Sequence, residues 1–99
     1  MANKMRPIHP GEILKEELDE IGLSASAFAK KLCVPANRIT AILNAQRAIS
    51  ADTAIRLARF FGTTAEFWSN LQRDFDLKST FNNVGKAIEK EVIPYDAAA

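Results

Sequence analysis

Asn37, Thr40 and Asn44 are short polar residues that follow one another at intervals of three and four residues. In a helix, that spacing places them along one face. An asparagine amide can donate to and accept from the edge of adenine at once, and a threonine can hydrogen-bond a base edge or contact the methyl group of thymine. The pattern therefore predicts a helix that contacts bases in the major groove of DNA. The alternative is a polar helix face that meets only solvent.

Residues able to support catalysis or metal binding are scarce. The 99 residues include one histidine, His9, and one cysteine, Cys33. A lone cysteine can form neither an internal disulfide nor a zinc site, and the sequence offers no nucleophile or substrate-positioning partner for a general base at His9. We interpret His9 as a helix-entry residue and Cys33 as a small buried apolar residue. We therefore expect neither an enzyme nor a metal or cofactor site.

The composition is that of one globular domain, with 47% hydrophobic and 25% charged residues. Lys and Arg number 13 and Asp and Glu number 12, for a formal net charge of +1, which excludes a uniformly basic nucleic-acid coat. No apolar run approaches the roughly 18 residues of a membrane span, and the N-terminus lacks the apolar stretch of a signal peptide. We expect a cytoplasmic protein that does not enter membranes.

The positive charge is concentrated in the middle of the chain. Residues 23–62 contain six basic residues and one acidic residue, Asp52, for a net charge of +5, whereas residues 4–22 and 63–99 each carry a net charge of −2. The middle segment is the candidate surface for a polyanion, unless its charges simply form a solvated face. Its basic residues are Lys30, Lys31, Arg38, Arg47, Arg56 and Arg59.

Apolar periodicity and helix-terminal residues predict an all-α chain of five helices. Helix one is predicted over residues 10–21, because proline suits its first position and a glycine follows its last. Helices two (24–32) and four (51–61) begin at serines that are suitable N-caps, and a proline opens helix three (35–44). A capping box of Thr63 and Glu66 is expected to start helix five, which should end near Leu77.

The ends of the chain are assigned separately. We divide the sequence into an N-terminal arm (1–9), a helical domain (10–77) and a short C-terminal extension (78–99). Two asparagines and a glycine in the extension disfavour a further helix, although its apolar residues Phe81, Val84 and Ile88 have helical spacing. Residues 92–95 are expected to be extended, and residues 96–99 to fray.

Helices two and three, joined by a tight turn, have the layout of a helix-turn-helix unit. The second helix of such a unit must present small or polar side chains to enter a groove about 12 Å wide. Hydroxyl and basic side chains around it suit phosphate contacts, which supply most of the affinity. A plain helical hairpin with solvent-facing polar residues is the alternative. The predicted phosphate contacts are Ser24, Ser26, Lys30, Arg38, Asn44 and Arg47.

Helix five carries more apolar surface than one terminal helix keeps exposed. We expect part of this surface to pack inside and the remainder to form the interface of a homodimer. The alternative is that all of it belongs to the core of a single chain. The residues concerned are Phe67, Trp68, Leu71 and Phe75.

Several motifs occur in a specific order: residues 8–14, Arg38-Ile39-Thr40, residues 49–58 and residues 66–72, followed by Asp76-Leu77. Over about residues 8–77 the chain resembles the HigA (VapI-like) antitoxins of the lambda-repressor-like, XRE helix-turn-helix class. The resemblance implies a five-helix domain that dimerises, binds an operator in its own promoter, and neutralises a HigB-type toxin, an mRNA-cleaving ribonuclease. Because a two-fold dimer matches a two-fold site, we expect the operator to be an inverted repeat in double-stranded DNA.

The resemblance also implies which residues contact bases. It places Ala36, Asn37 and Thr40 at the base-contacting positions of helix three. Pro35 and Ala36 stand where many relatives carry hydrogen-bonding residues, so we expect fewer or more apolar early base contacts. Two other functions stay open at this point, a stand-alone repressor without a toxin and a module that binds only protein. If helix three faces DNA, the chain is an antitoxin or a stand-alone repressor and not a module that binds only protein.

Overall fold

The computed structural model describes residues 6–96, and these residues form five α-helices without a strand. We number the helices in chain order, so that α1 is Pro10–Ile21, α2 is Ala25–Leu32, α3 is Ala36–Leu43, α4 is Ala51–Phe61 and α5 is Ala65–Glu91. The predicted all-α fold is confirmed. Part of the predicted N-terminal arm (1–5) and most of the fraying segment (97–99) lie outside the described residues.

The predicted helix-terminal residues mostly act as expected. Ser24 accepts the amide of Ala27 at 3.1 Å, Ser50 accepts the amide of Thr53 at 3.2 Å, and Gly22 ends α1 in the left-handed conformation, with φ at 72°. Each of these contacts satisfies a backbone group that the helix itself leaves unpaired. They explain why the first four helices lie within about one residue of their predicted bounds.

The predicted start of α5 is wrong by one residue. Thr64, not Thr63, is the N-cap, and its hydroxyl accepts the amide of Phe67 at 3.1 Å. The hydroxyl of Thr63 instead accepts the indole N–H of Trp68 at 3.0 Å. A buried indole N–H needs a hydrogen-bond acceptor. The hydroxyl of Thr63 accepts this bond, and the hydroxyl of Thr64 caps the helix.

The hydrophobic core lies between the first four helices and the start of α5. It consists of apolar residues that are less than a tenth exposed. Four phenylalanines and Trp68 are linked through ring contacts of 5.0 to 5.7 Å between centroids. The core residues are Leu14, Leu18, Phe28, Ala29, Leu32, Ile39, Ile42, Ile49, Ala54, Leu57 and Trp68.

Trp68 corrects the predicted dimer surface. Its side chain is 2% exposed, so it is not available to a second chain. Leu71 packs against the core, and the ring of Phe75 is half-buried, edge-on to His9 at 4.8 Å. Of the four predicted interface residues, Phe67 is exposed, at 44%. The large indole fills the space between α4 and α5 that smaller residues would leave empty.

Helix α5 is much longer than predicted. It continues past Leu77 to Glu91, which makes 27 residues and a length of about 40 Å. The predicted boundary between domain and extension therefore falls inside a helix. Gly85 does not break α5. The ring of Phe81 lies so close to it that an added methyl carbon would be 2.6 Å from Phe81 Cδ1. Val92, which follows the helix, has an extended backbone. Tyr95 lies in a turn with Asp96, so the extended piece expected over residues 92–95 does not reach Tyr95.

Two contacts hold the C-terminal end of α3 and the loop that follows it in place. Gly11 of α1 lies against the last turn of α3, where an added Cβ would be 2.0 Å from the carbonyl oxygen of Ile42. On the other side, the buried amide of Gln72 on α5 accepts the N–H of Ile49 at 2.8 Å and donates to Asp76 at 3.0 Å. The loop that follows α3 is thereby fastened to α5.

Candidate nucleic-acid interface

A three-residue turn joins α2 to α3. Cys33 ends α2 in the left-handed conformation, with φ at 61°, and the amide of Val34 donates to Ala29 at 3.0 Å. Pro35 then adopts an extended conformation and precedes the first turn of α3. The turn brings the two helices together as a helix-turn-helix. Cys33 is exposed, which corrects the expectation of a buried residue, because the end of α2 lies at the surface.

Helix α3 has one buried and one exposed side. Ile39 and Ile42 are fully buried, whereas Ala36, Asn37 and Thr40 are exposed. The three residues predicted to contact bases therefore share one accessible surface. The hydroxyl of Thr40 donates to the carbonyl of Ala36 at 3.1 Å, which leaves its oxygen able to act as an acceptor.

Five of the six predicted phosphate contacts are also exposed. Ser24, Ser26 and Lys30 lie on or at the start of α2, and Asn44 and Arg47 follow α3. All five are therefore accessible to a phosphate backbone. Ser24 already uses its oxygen to cap α2, so its hydroxyl proton is the group that remains to donate to an anion.

Arg38 is placed differently from the other predicted phosphate contacts. Its side chain is 24% exposed, and its guanidinium donates to a carboxylate oxygen of Asp52 at 2.8 Å. Arg56 donates to the same oxygen at 2.7 Å and to the carbonyl of Leu32 at 2.8 Å. Hydrogen bonds from Arg56 and from Arg38 lower the pKa of Asp52 below its ordinary value. These contacts join α2, α3 and α4.

Sequence reasoning missed this network for a simple reason. Asp52 and Arg56 are four residues apart on α4, and that spacing is itself a signal for an ion pair. Arg38 lies 14 residues from Asp52, and no local pattern connects them. The pairing depends on how α3 packs beside α4.

His9 is a structural residue, as expected. It is buried, and its Nδ1 accepts the amide of Gly11 at 2.8 Å, while Glu12 accepts the amide of His9 at 3.3 Å. The two bonds form a capping box at the start of α1. Burial lowers the pKa of His9, and the carboxylates of Glu12 and Asp76 offset part of that shift.

The second half of α5 presents an apolar stripe that the sequence analysis did not assign to a surface. Its residues follow one another at intervals of four, three and four, the spacing of helices that pack side by side. They are between 43% and 63% exposed. We define this α5 stripe as Leu77, Phe81, Val84 and Ile88.

The part of the chain that the structure describes has no helix of the length and apolarity needed to cross a membrane. Within the same residues, no three histidine, cysteine or acidic side chains come together in a group that could hold a metal ion.

The five helices, with α2 and α3 joined by the short turn, define the helix-turn-helix class of DNA-binding folds, and the helix-turn-helix family model matches residues 14–68. The chain is 56% identical over 77 residues to virulence-associated protein I of Dichelobacter nodosus, an alignment that covers 77% of this chain and 71% of the relative.

Two solved structures are similar to nearly the whole chain. An addiction module antidote protein of the HigA family from Coxiella burnetii matches with a TM-score of 0.88 and 62% identity, over 91% of this chain and 99% of that one. The Pseudomonas aeruginosa antitoxin HigA with the higBA promoter matches with a TM-score of 0.88 and 49% identity, over 91% and 99%. The chain belongs to the helix-turn-helix family of HigA antitoxins and VapI-like proteins. This family is not enzymatic.

Proposed function

We propose that this chain is the DNA-binding antitoxin of a type II toxin–antitoxin system. It represses its own operon by binding an inverted-repeat operator, and it neutralises a HigB-type toxin that cleaves mRNA. The observation that carries the proposal is the exposed polar face of α3, in a chain 49% identical to an antitoxin solved with its promoter DNA. Both activities belong to the cytoplasm, where operator and mRNA are found.

Within this proposal, Ala36, Asn37 and Thr40 contact bases. Asn37 supplies a bidentate donor and acceptor, and Thr40 supplies an acceptor oxygen and a methyl group. Ala36 has only a methyl group to offer, which suits contact with thymine. The operator half-site is therefore expected to contain an adenine opposite Asn37 and a thymine near Ala36.

Phosphate contacts come from the exposed residues on either side of α3. Lys30 and Arg47 carry full positive charges, and each contact to a phosphate makes binding more sensitive to salt. Ser24, Ser26 and Asn44 are neutral donors that orient the domain on the backbone without adding to the salt dependence.

We infer that two copies pair along the α5 stripe. Its four exposed apolar side chains would otherwise stay in water, and their spacing is that of a helix-to-helix seam. A two-fold dimer places its two α3 helices in successive major grooves about 34 Å apart and so matches an inverted repeat. The exposed Phe67 is the member of the predicted interface that remains suitable for a protein contact.

The toxin is the part of the proposal that one experiment can test directly. The tagged chain is purified from its native cells at physiological salt, and proteins that remain with it are identified by mass spectrometry. We expect a stoichiometric small protein whose expression alone arrests growth and cleaves mRNA, and whose activity stops when this chain is added.

Two outcomes would contradict that expectation in different ways. A chain that binds its own upstream DNA but carries no such protein would be a stand-alone repressor. A chain that brings a protein partner and binds no DNA would be an interaction module, and the DNA-binding part of the proposal would also be wrong.

A further inference from the structure

Asp52 is the one acidic residue among residues 23–62, a segment that contains six basic residues. It lies in the first turn of α4, and its side chain is 57% exposed. An acidic side chain so close to a surface that binds DNA repels phosphates.

The carboxylate of Asp52 binds the guanidinium of Arg38 in an ion pair. The pair is joined at 2.8 Å, and the side chain of Arg38 is only 24% exposed. Arg38 follows Asn37 directly, in the first turn of α3. A free arginine at this position would reach phosphates of any sequence, because such contacts do not depend on the bases.

Arg56 responds differently to the loss of Asp52. It shares the Asp52 oxygen at 2.7 Å, but it also donates to the carbonyl of Leu32 at 2.8 Å. That second bond anchors Arg56 at the end of α2. Removing the carboxylate would therefore release one arginine, Arg38, from each protomer.

We propose that Asp52 is a specificity-determining residue that withholds Arg38 from the DNA backbone. The ion pair keeps Arg38 as a brace between α3 and α4 and limits the affinity of the protein for DNA of unrelated sequence. Preference for the operator then depends on Asn37 and Thr40 rather than on charge. This inference rests on the proposed DNA-binding function.

The test measures how binding changes with salt for two duplexes of 28 base pairs, the length of one operator solved with a family member. One duplex contains the inverted repeat upstream of the gene, and the other contains the same bases in scrambled order. The variants are Asp52→Asn, Arg38→Ala and the double variant. Asp19→Asn, on the outward acidic side of α1, is the control with the same change in charge.

For Asp52→Asn we expect a salt slope on scrambled DNA that is steeper by about 0.9 per protomer, the value of one additional phosphate contact. The ratio of operator to scrambled affinity should fall. Adding Arg38→Ala to Asp52→Asn should return the slope to the wild-type value, and Asp19→Asn should leave both slopes unchanged. Thermal unfolding of each variant confirms that it is folded.

Two results would overturn the inference. One is an Asp52→Asn slope equal to that of the wild type. The other is a flatter slope, by about 0.9 per protomer, for Arg38→Ala alone, because Arg38 would then already contact a phosphate in the wild type. This second result does not require Asp52→Asn to fold. A wild-type chain without preference for its upstream duplex would instead contradict the proposed function, so the two failures are distinguishable.

Discussion

His9 caps α1 with a ring nitrogen that must be unprotonated to accept the amide of Gly11. Its ring is buried against Phe75 of α5. A single residue therefore connects the start of the domain to its last helix, and its charge state matters to both contacts. Arg38 is a second example of a residue whose role depends on the fold: its sequence position suggests a phosphate contact, but in the folded chain it is paired with Asp52.

The buried ring gives a prediction about pH. Burial lowers the pKa of His9 in the folded chain, so the unfolded chain takes up a proton first, near its ordinary pKa of about 6.5. The contribution of His9 to stability is then complete above about pH 6.5 and is lost as the pH falls towards the folded pKa. Urea unfolding followed by the fluorescence of the single Trp68 between about pH 5 and 8 measures this.

The control for this prediction is His9→Asn, which keeps a side-chain acceptor at the cap but does not titrate. It should be less stable throughout, because the ring contact is lost, and its stability should stay constant through this range. The lowered pKa values of Glu12 and Asp52 act below the ordinary carboxyl range, outside this window. An equal pH dependence in the wild type and in His9→Asn would contradict the role of His9.

At the scale of elements, the position of α3 depends on how closely α1 approaches it. Gly11 has no side chain where the carbonyl of Ile42 lies. We predict that Gly11→Ala destabilises the chain by about 1–3 kcal/mol, because an added methyl group in this packed contact forces the helices apart. Urea unfolding gives the change in stability.

The matched control is Glu17→Ala on the exposed side of α1, which should change stability by less than about 0.5 kcal/mol. Gly11→Ala should also weaken operator binding more than Glu17→Ala, since α3 is displaced. A Gly11→Ala variant as stable as the wild type would show that the contact can relax and does not fix α3.

The elements also show what a sequence can predict here. Four helices were predicted closely because their ends are marked by residues such as Pro10, Ser24 and Pro35, whose effects are local. Once the bounds of α3 are known, helical periodicity predicts which of its residues share the exposed face. The length of α5 is not predicted, because the local penalties of Asn82, Asn83 and Gly85 indicate an end to the helix, whereas its hydrogen bonding continues through them.

The remaining differences come from contacts between distant residues. The sequence shows that Trp68 is a large apolar residue, which favours an interface. It does not show that the core contains a space that the indole fills. Likewise, the sequence indicates that Arg38 is charged and close to the DNA-facing helix, yet Asp52 reaches it only in the fold. Packing of separate elements decides both cases.

At the scale of the whole molecule, the described chain extends over 56 Å because α5 projects beyond the other helices. We predict that Phe81→Asp, in the α5 stripe, converts a dimer to a monomer, since it places a charge in an apolar seam. Sedimentation velocity measures the change in mass. Operator affinity should fall as well, because the two half-sites are no longer bound by linked protomers.

Asn83→Asp supplies the same new charge on the opposite side of α5, and it should remain a dimer. Trp68 fluorescence should be equal in both variants if the core is intact. A Phe81→Asp variant that still sediments as a dimer would move the interface away from the α5 stripe, and a monomeric wild type would contradict the dimer itself.

The central claim is that the exposed face of α3 selects the operator. It is tested most directly by the affinities of the wild type, Asn37→Ala and the control Asn70→Ala, an exposed residue on α5, for the upstream and the scrambled duplex. We predict that Asn37→Ala weakens binding to the upstream duplex by about tenfold to a hundredfold, the loss of one bidentate base contact, with little change on scrambled DNA. Equal losses on both duplexes, or no loss on either, would contradict the claim.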